Sequence, residues 1–63
     1  EPALRSTVVA GKKSLANLGG EIMEVGEEKN GYKLIEVHPF NAVFQRHGKR
    51  VQIEVESVAG EER

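Results

Sequence analysis

The sequence predicts an all-β domain, a small five- to six-stranded antiparallel barrel or two-sheet sandwich. Three observations carry that expectation. Apolar residues recur at period two more often than at 3.6. The runs of β-forming residues are short, and Gly, Pro and Asn-Gly signals separate them at spacings of roughly 8–12 residues. The alternation is cleanest in the last element, where Val51, Ile53 and Val55 fall on one face and Arg50, Gln52, Glu54 and Glu56 on the other.

In chain order, LRSTVVA predicts a first strand over residues 4–10, ended by Gly11. KKSLANL can be read two ways. Ser14 could cap a helical turn that Gly19 stops, but the segment is too short to hold a helix alone, so a strand over 14–18 turning at Gly19-Gly20 is preferred. A third strand over 21–25 is left through Gly26. Asn30-Gly31 is a strong turn signal, and YKLIEVH behind it predicts a strand over 32–38. Its apolar residues Leu34, Ile35 and Val37 do not alternate, so either both faces are covered or a bulge shifts the register. Pro39 ends the run, since it has no N–H and pushes His38 towards an extended conformation. The last two strands, 42–47 and 50–56, make a hairpin around HGK, where Gly48 can take a positive φ. Residues 57–63 read as a polar tail. The expected core is Leu4, Val8, Leu15, Met23, Val25, Leu34, Val37, Phe44, Ile53 and Val55.

The 63 residues allow one domain at most, near the lower size limit for folding without staples. The absence of cysteine excludes disulfides and thiolate metal sites and leaves the redox compartment open. Hydrophobic residues at 38% and charged residues at 30% fit a modest core under a solvated surface. A stability of about 3–5 kcal/mol is typical of such a domain. Net charge is −1, without the basic excess usual in proteins that neutralise phosphates. No apolar run is long enough to span a membrane, and no signal peptide is visible. The start at Glu1 and the polar ends EPA and GEER fit a mature or excised domain of a longer protein.

A search for chemistry finds no catalytic set. His38 and His47 lack the H-x-H or H-x-x-x-H spacing of a metal pair and read as surface or turn-edge imidazoles. Ser6, Ser14 and Ser57 have no G-x-S-x-G context. Glu27-Glu28 and Glu61-Glu62 read as solvated loop and tail residues. GKKS at Gly11 to Ser14 fails as a phosphate loop, because Ser6 stands where the earlier glycine belongs and Lys13 where the Ser or Thr does. No catalytic residue, cofactor, metal or small-molecule substrate is therefore expected. Two surface features stand out. The cluster RHGKR, Arg46 to Arg50, is the one candidate electrostatic site, against a reading as a charged hairpin tip that discourages edge pairing. Phe40, just after Pro39, either caps the end of the fold or anchors a partner.

From Asn30 to Val55 the chain reads NGYKLIEVHPFNAVFQRHGKRVQIEV. This resembles the shared core of small periplasmic β-domains from bacterial secretion and pilus machines. The group includes the homology region of the type II secretion C component, the pilus lipoprotein PilP, the B component and the mannose-sensitive pilus proteins. Their common pattern is roughly G-x-x-V-x-x-I-x-P-x-x-V-x-L-x-x-x-G-x-x-x-x-L-x-L. Gly31, Leu34, Val37, Pro39, Ala42, Phe44, Gly48, Ile53 and Val55 occupy those places without a gap. ANLGGEIMEVGEE, Ala16 to Glu28, is similar to the group's strand–turn–strand ahead of a V-G-D, with Val25-Gly26-Glu27 in that place. Ala42 is small where the pattern prefers valine, and LGG replaces the usual I-N-G.

The resemblance implies a non-enzymatic interaction domain, periplasmic and tethered to the inner membrane through a segment absent here. It implies docking on the periplasmic N-terminal domain of an outer-membrane secretin, by strand edge or loop. The edges favoured from the sequence are the first strand and the hairpin around Gly48. From exposure and position, the residues picked out for partner binding are Val8, Phe40, Arg46, Lys49 and Arg50. Two alternatives stand beside this reading. One is an SH3-like or OB-like nucleic-acid-binding barrel, whose binding would weaken steeply with salt. The other is a structural or oligomerisation domain of a larger enzyme.

Overall fold

The computed structural model describes residues 2–56; the expected tail at 57–63, with Ser57 and Glu61-Glu62, lies outside them. Seven strands follow one another: β1 (Leu4–Val8), β2 (Leu15–Leu18), β3 (Glu21–Glu24), β4 (Glu28–Lys29), β5 (Tyr32–His38), β6 (Asn41–Arg46) and β7 (Lys49–Glu54). The fold is all-β, with a single 3-10 turn among the described residues, at Gly11–Lys13. The strand count exceeds the expected five to six because Glu28 and Lys29, read as loop, pair with Lys33 and Tyr32. The strands make two antiparallel sheets, ordered β1-β2-β3 and β4-β5-β6-β7. They do not close into a barrel. One parallel bridge, Leu4 to Val55, links them, and the Glu56 N–H donates to the Leu4 carbonyl at 2.7 Å.

Three connections are two-residue turns with positive φ at both central residues: Gly19-Gly20, Asn30-Gly31 and His47-Gly48. That geometry matches the right-handed twist of the strands it joins. His47, at φ 54°, takes it without glycine's freedom. The fourth turn, Pro39-Phe40, has no positive φ and is tied down from outside. The Thr7 hydroxyl donates to the Pro39 carbonyl at 2.9 Å, and the Val55 N–H donates to the Phe40 carbonyl at 2.8 Å. Ser14 caps no helix. It follows the 3-10 turn, where its buried Oγ accepts from the Ala10 N–H at 2.7 Å and donates to the Gly11 carbonyl at 2.8 Å. KKSLANL thus becomes a turn and then strand β2.

Two register shifts set which residues point inward. Lys33 and Leu34 pair with Gln45 and Phe44, but Glu36 pairs with Val43, leaving Ile35 extra. This bulge explains the broken alternation of YKLIEVH and answers the question that segment posed. A second bulge in β1 was not foreseen: Leu4 pairs with Leu18 and Ser6 with Asn17, so Arg5 is extra. It inverts the phase of the rest of β1. Thr7, opposite the buried Ala16, now faces inward, and Val8 is 52% exposed rather than in the core.

The core comprises Leu4, Ala16, Leu18, Met23, Tyr32, Leu34, Ala42, Phe44 and Ile53, with Val25, Val37, Val51 and Val55 packed against it. Leu15, expected inside, is half-buried because the Gly19-Gly20 turn places Ala16 opposite Met23 and so turns Ala16 and Leu18 inward instead. Phe44 sits at the centre, fully buried, with Leu34 and Val51 as its strand neighbours. The Tyr32 ring meets it edge-on, centroids 6.0 Å apart and planes at 89°. Tyr32, left out of the expected core, is only 5% exposed.

Candidate functional site

The five residues picked out from the sequence fall into two groups at opposite ends of β6. Val8 and Phe40 belong to one end, where the Thr7–Pro39 hydrogen bond sets the finish of β1 beside the β5–β6 turn. Phe40 is 78% exposed, so it caps nothing. Arg46, Lys49 and Arg50 belong to the other end, around the His47-Gly48 turn, and all three are exposed. With six residues in β6, roughly 17 Å of strand separates the groups. No single small ligand touches both.

At the Val8–Phe40 end the two bulges create a groove that sequence reasoning missed. The phase inversion in β1 that turns Val8 outward brings Val9 to the groove wall. The bulge in β5 keeps Val37 opposite the buried Ala42, where an unbroken register would place Glu36. Val9, Ile35 and Val37, with Val25, Ser14 and His38, line a groove of about 450 Å³. Its apolar character comes from aliphatic side chains on three separate segments, which no local motif could have marked. Val9 remains 55% exposed.

The groove also runs beside a free strand edge. The β4 strand and the Gly26–Glu27 link cover β5 only as far as Leu34, whose carbonyl accepts from the Gly26 N–H and whose N–H donates to Glu27, both at 2.9 Å. Beyond Leu34, the stretch from Ile35 to His38 pairs with β6 alone. Unpaired backbone groups beside an apolar floor are what an added strand requires.

The cationic end is built differently. The Arg46 guanidinium lies 4.7 Å from the centre of the Tyr32 ring, a cation–π arrangement. Tyr32, with Arg46 over one face, is buried and leaves no open ring for a nucleobase. Among the described residues, none of Arg46, Lys49 and Arg50 forms an ion pair; the His38 ring and the Glu36 carboxylate share a hydrogen bond, Nε2 to Oε1 at 3.1 Å, half-exposed on both sides.

The titratable residues do not assemble. His38 and His47 sit at opposite ends of the β5-β6-β7 meander. Glu27 is not idle in solvent as expected. Its Oε1 accepts from the Glu24 N–H at 2.8 Å and shapes the turn into β4. Among the described residues, no three His, Asp or Glu side chains converge on a common point, and no helix is long and apolar enough to cross a membrane. A smaller pocket of about 120 Å³ lies at the cationic end, lined by Pro2, Met23, Lys29 and Tyr32 among others. No protein-family model, curated protein or solved structure matches this chain.

Proposed function

We propose that this chain is a non-enzymatic protein-interaction domain of a bacterial secretion or pilus-assembly apparatus, docking on the periplasmic part of an outer-membrane secretin. The resemblance of residues 16–55 to that group of β-domains supplies the class of machine. One structural observation supports docking: an apolar groove of about 450 Å³, lined by Val9, Ile35 and Val37 among others, beside the unpaired half of β5, with the exposed Phe40 two residues beyond its His38 end. In this reading the two sheets form a small sandwich that holds the groove rigid. A strand of the secretin domain adds to Ile35–His38 through main-chain hydrogen bonds, its alternate side chains enter the groove, and Phe40 anchors the rim. Periplasmic location and an inner-membrane tether belong to the same proposal. A nucleic-acid role is disfavoured, since single-strand binding joins basic groups to open aromatic platforms: Tyr32 and Phe44 are buried, and the exposed Phe40 lies at the opposite end of β6 from Arg46, Lys49 and Arg50.

The test is an amide-resolved NMR titration with the periplasmic N-terminal domain of the secretin from the same organism. Shifts concentrated at Val9, Ile35–His38 and Phe40 are expected, and Phe40→Ala should weaken binding by about tenfold or more, as truncated interface anchors do. A folded domain whose spectrum does not move at high partner concentration would remove the secretin reading.

A further inference from the structure

The open edge of β5 is bounded by the chain itself at both ends. At one end the Gly26 N–H and the Glu27 carbonyl engage Leu34. At the other, Thr7 Oγ1 donates to the Pro39 carbonyl at 2.9 Å. Between these ties lies the stretch from Ile35 to His38, which among the described residues pairs with β6 alone. The bulge at Ile35 and the proline keep this edge too short for open-ended growth of the sheet. An occupant pairs over three or four residues and then has to leave.

The ladder decides which main-chain groups are offered. His38 and Asn41 flank a two-residue turn, and Pro39 has no N–H, so the two flanking residues form a hydrogen-bonded pair. Alternation then makes Val37 and Ala42 a non-hydrogen-bonded pair, and the N–H and carbonyl of Val37 are directed away from β6. Leu34, opposite Phe44, keeps the same phase, since both of its groups leave β6 for Gly26 and Glu27. A residue set antiparallel to Val37 exchanges both hydrogen bonds with it. Its side chain falls on the Val37 side, over the aliphatic groove that Val9 and Val25 also line. The residue after it stands opposite Glu36 on the outer face, in the closer, non-hydrogen-bonded kind of pair.

Charge selects that second residue. Glu36 is half-exposed, and its Oε1 shares a hydrogen bond with His38 Nε2 at 3.1 Å. Its Oε2 has no partner among the described residues. Lys12 lines the groove itself, so a cation is stabilised beside Glu36 and opposed deeper in the hollow. We propose that the β5 edge takes a short antiparallel stretch carrying an apolar residue opposite Val37 and, directly after it, an Arg or Lys opposite Glu36. This rests on the reading of β5 as the docking edge, and not on a secretin as the source of the stretch.

Amide-resolved NMR titration of the whole chain with short peptides tests it. The probe is acetyl-Thr-Val-Arg-Thr-amide; the controls are acetyl-Thr-Val-Glu-Thr-amide and acetyl-Thr-Ser-Arg-Thr-amide. The probe should move the Val9 and Ile35–His38 amides and bind with a Kd on the order of 1 mM. Each control should bind about threefold to tenfold more weakly, one for want of the cross-strand ion pair and the other for want of apolar burial. Glu36→Lys, a change at an exposed outer-face position, should invert the order of the Arg and Glu peptides. A spectrum unmoved by the probe to about 10 mM, or equal binding by either control, would overturn the pairing. The secretin reading fails separately. A secretin domain that binds the native and Glu36→Lys chains equally keeps the docking and sinks this preference. One that binds neither, beside peptides in the expected order, removes the secretin and keeps the preference.

Discussion

Removing the ring at the centre of the core tests the packing most directly. Phe44 is completely buried and its ring meets Tyr32 edge-on at 6.0 Å. Phe44→Ala would cost about 3–5 kcal/mol from transfer and cavity terms. That equals the whole stability of about 3–5 kcal/mol typical for a chain of this size, so the variant should be unfolded at room temperature. Phe44→Leu is the informative change. A hydrophobic swap of similar shape costs up to about 1.5 kcal/mol, and loss of the aromatic pair adds about 0.5–1.5 kcal/mol. The expected sum is near 2 kcal/mol. With a urea slope of about 1 kcal/mol/M for a small protein, the unfolding midpoint should fall by about 2 M. The pair contribution is isolated by a cycle with Tyr32→Leu, whose coupling should be about 0.5–1.5 kcal/mol. Equilibrium urea unfolding by circular dichroism measures all of it. A loss below about 0.5 kcal/mol for Phe44→Leu, the scale of ordinary surface changes, would refute a core centred on Phe44.

Four further outcomes follow from local geometry and are read by the same unfolding measurement. Ser14→Ala strands the Ala10 N–H that Oγ satisfies and should cost about 1–2 kcal/mol. Ala42 is fully buried between Val37 and Ile53, so Ala42→Val, which would restore the residue the resembled pattern prefers, should overpack the sheet by about 1–3 kcal/mol. Gly48→Ala meets open space, so its cost should be only the left-handed backbone strain, about 1–2 kcal/mol. Glu36→Gln breaks the half-exposed pair with His38 and should change stability by less than about 0.5 kcal/mol after screening by solvent.

Much of the fold was legible because turn chemistry is local. Asn30-Gly31 and Gly19-Gly20 announced their turns, Pro39 ended β5 where expected, and the alternation of RVQIEVE assigned Val51 and Ile53 to the inner face. What was not legible is the consequence of an extra residue. The Arg5 bulge has no Gly or Pro to mark it, and one inserted residue sends every later side chain of a strand to the other face. Val8 was assigned to the core for that reason. Tyr32 was missed because its partners, Phe44 and Arg46, arrive from another strand. The two-residue β4 carries too little pattern to distinguish it from loop.

The same two bulges that defeat a simple alternation also make the surface to which a function can be assigned. Without the Arg5 bulge, the original phase would bury Val8 and turn Val9 to the outer face, away from the groove it now lines. Without the Ile35 bulge, Glu36 would stand opposite the buried Ala42 and Val37 would turn to the outer face. Each bulge moves one aliphatic residue to the groove, and the stretch of β5 that begins at its own bulge is also the stretch that β4 leaves unpaired. Irregular strands here give an apolar hollow with a strand edge beside it, whereas β7, in unbroken register with β6, meets Leu4 of β1 at Val55 and offers no such hollow.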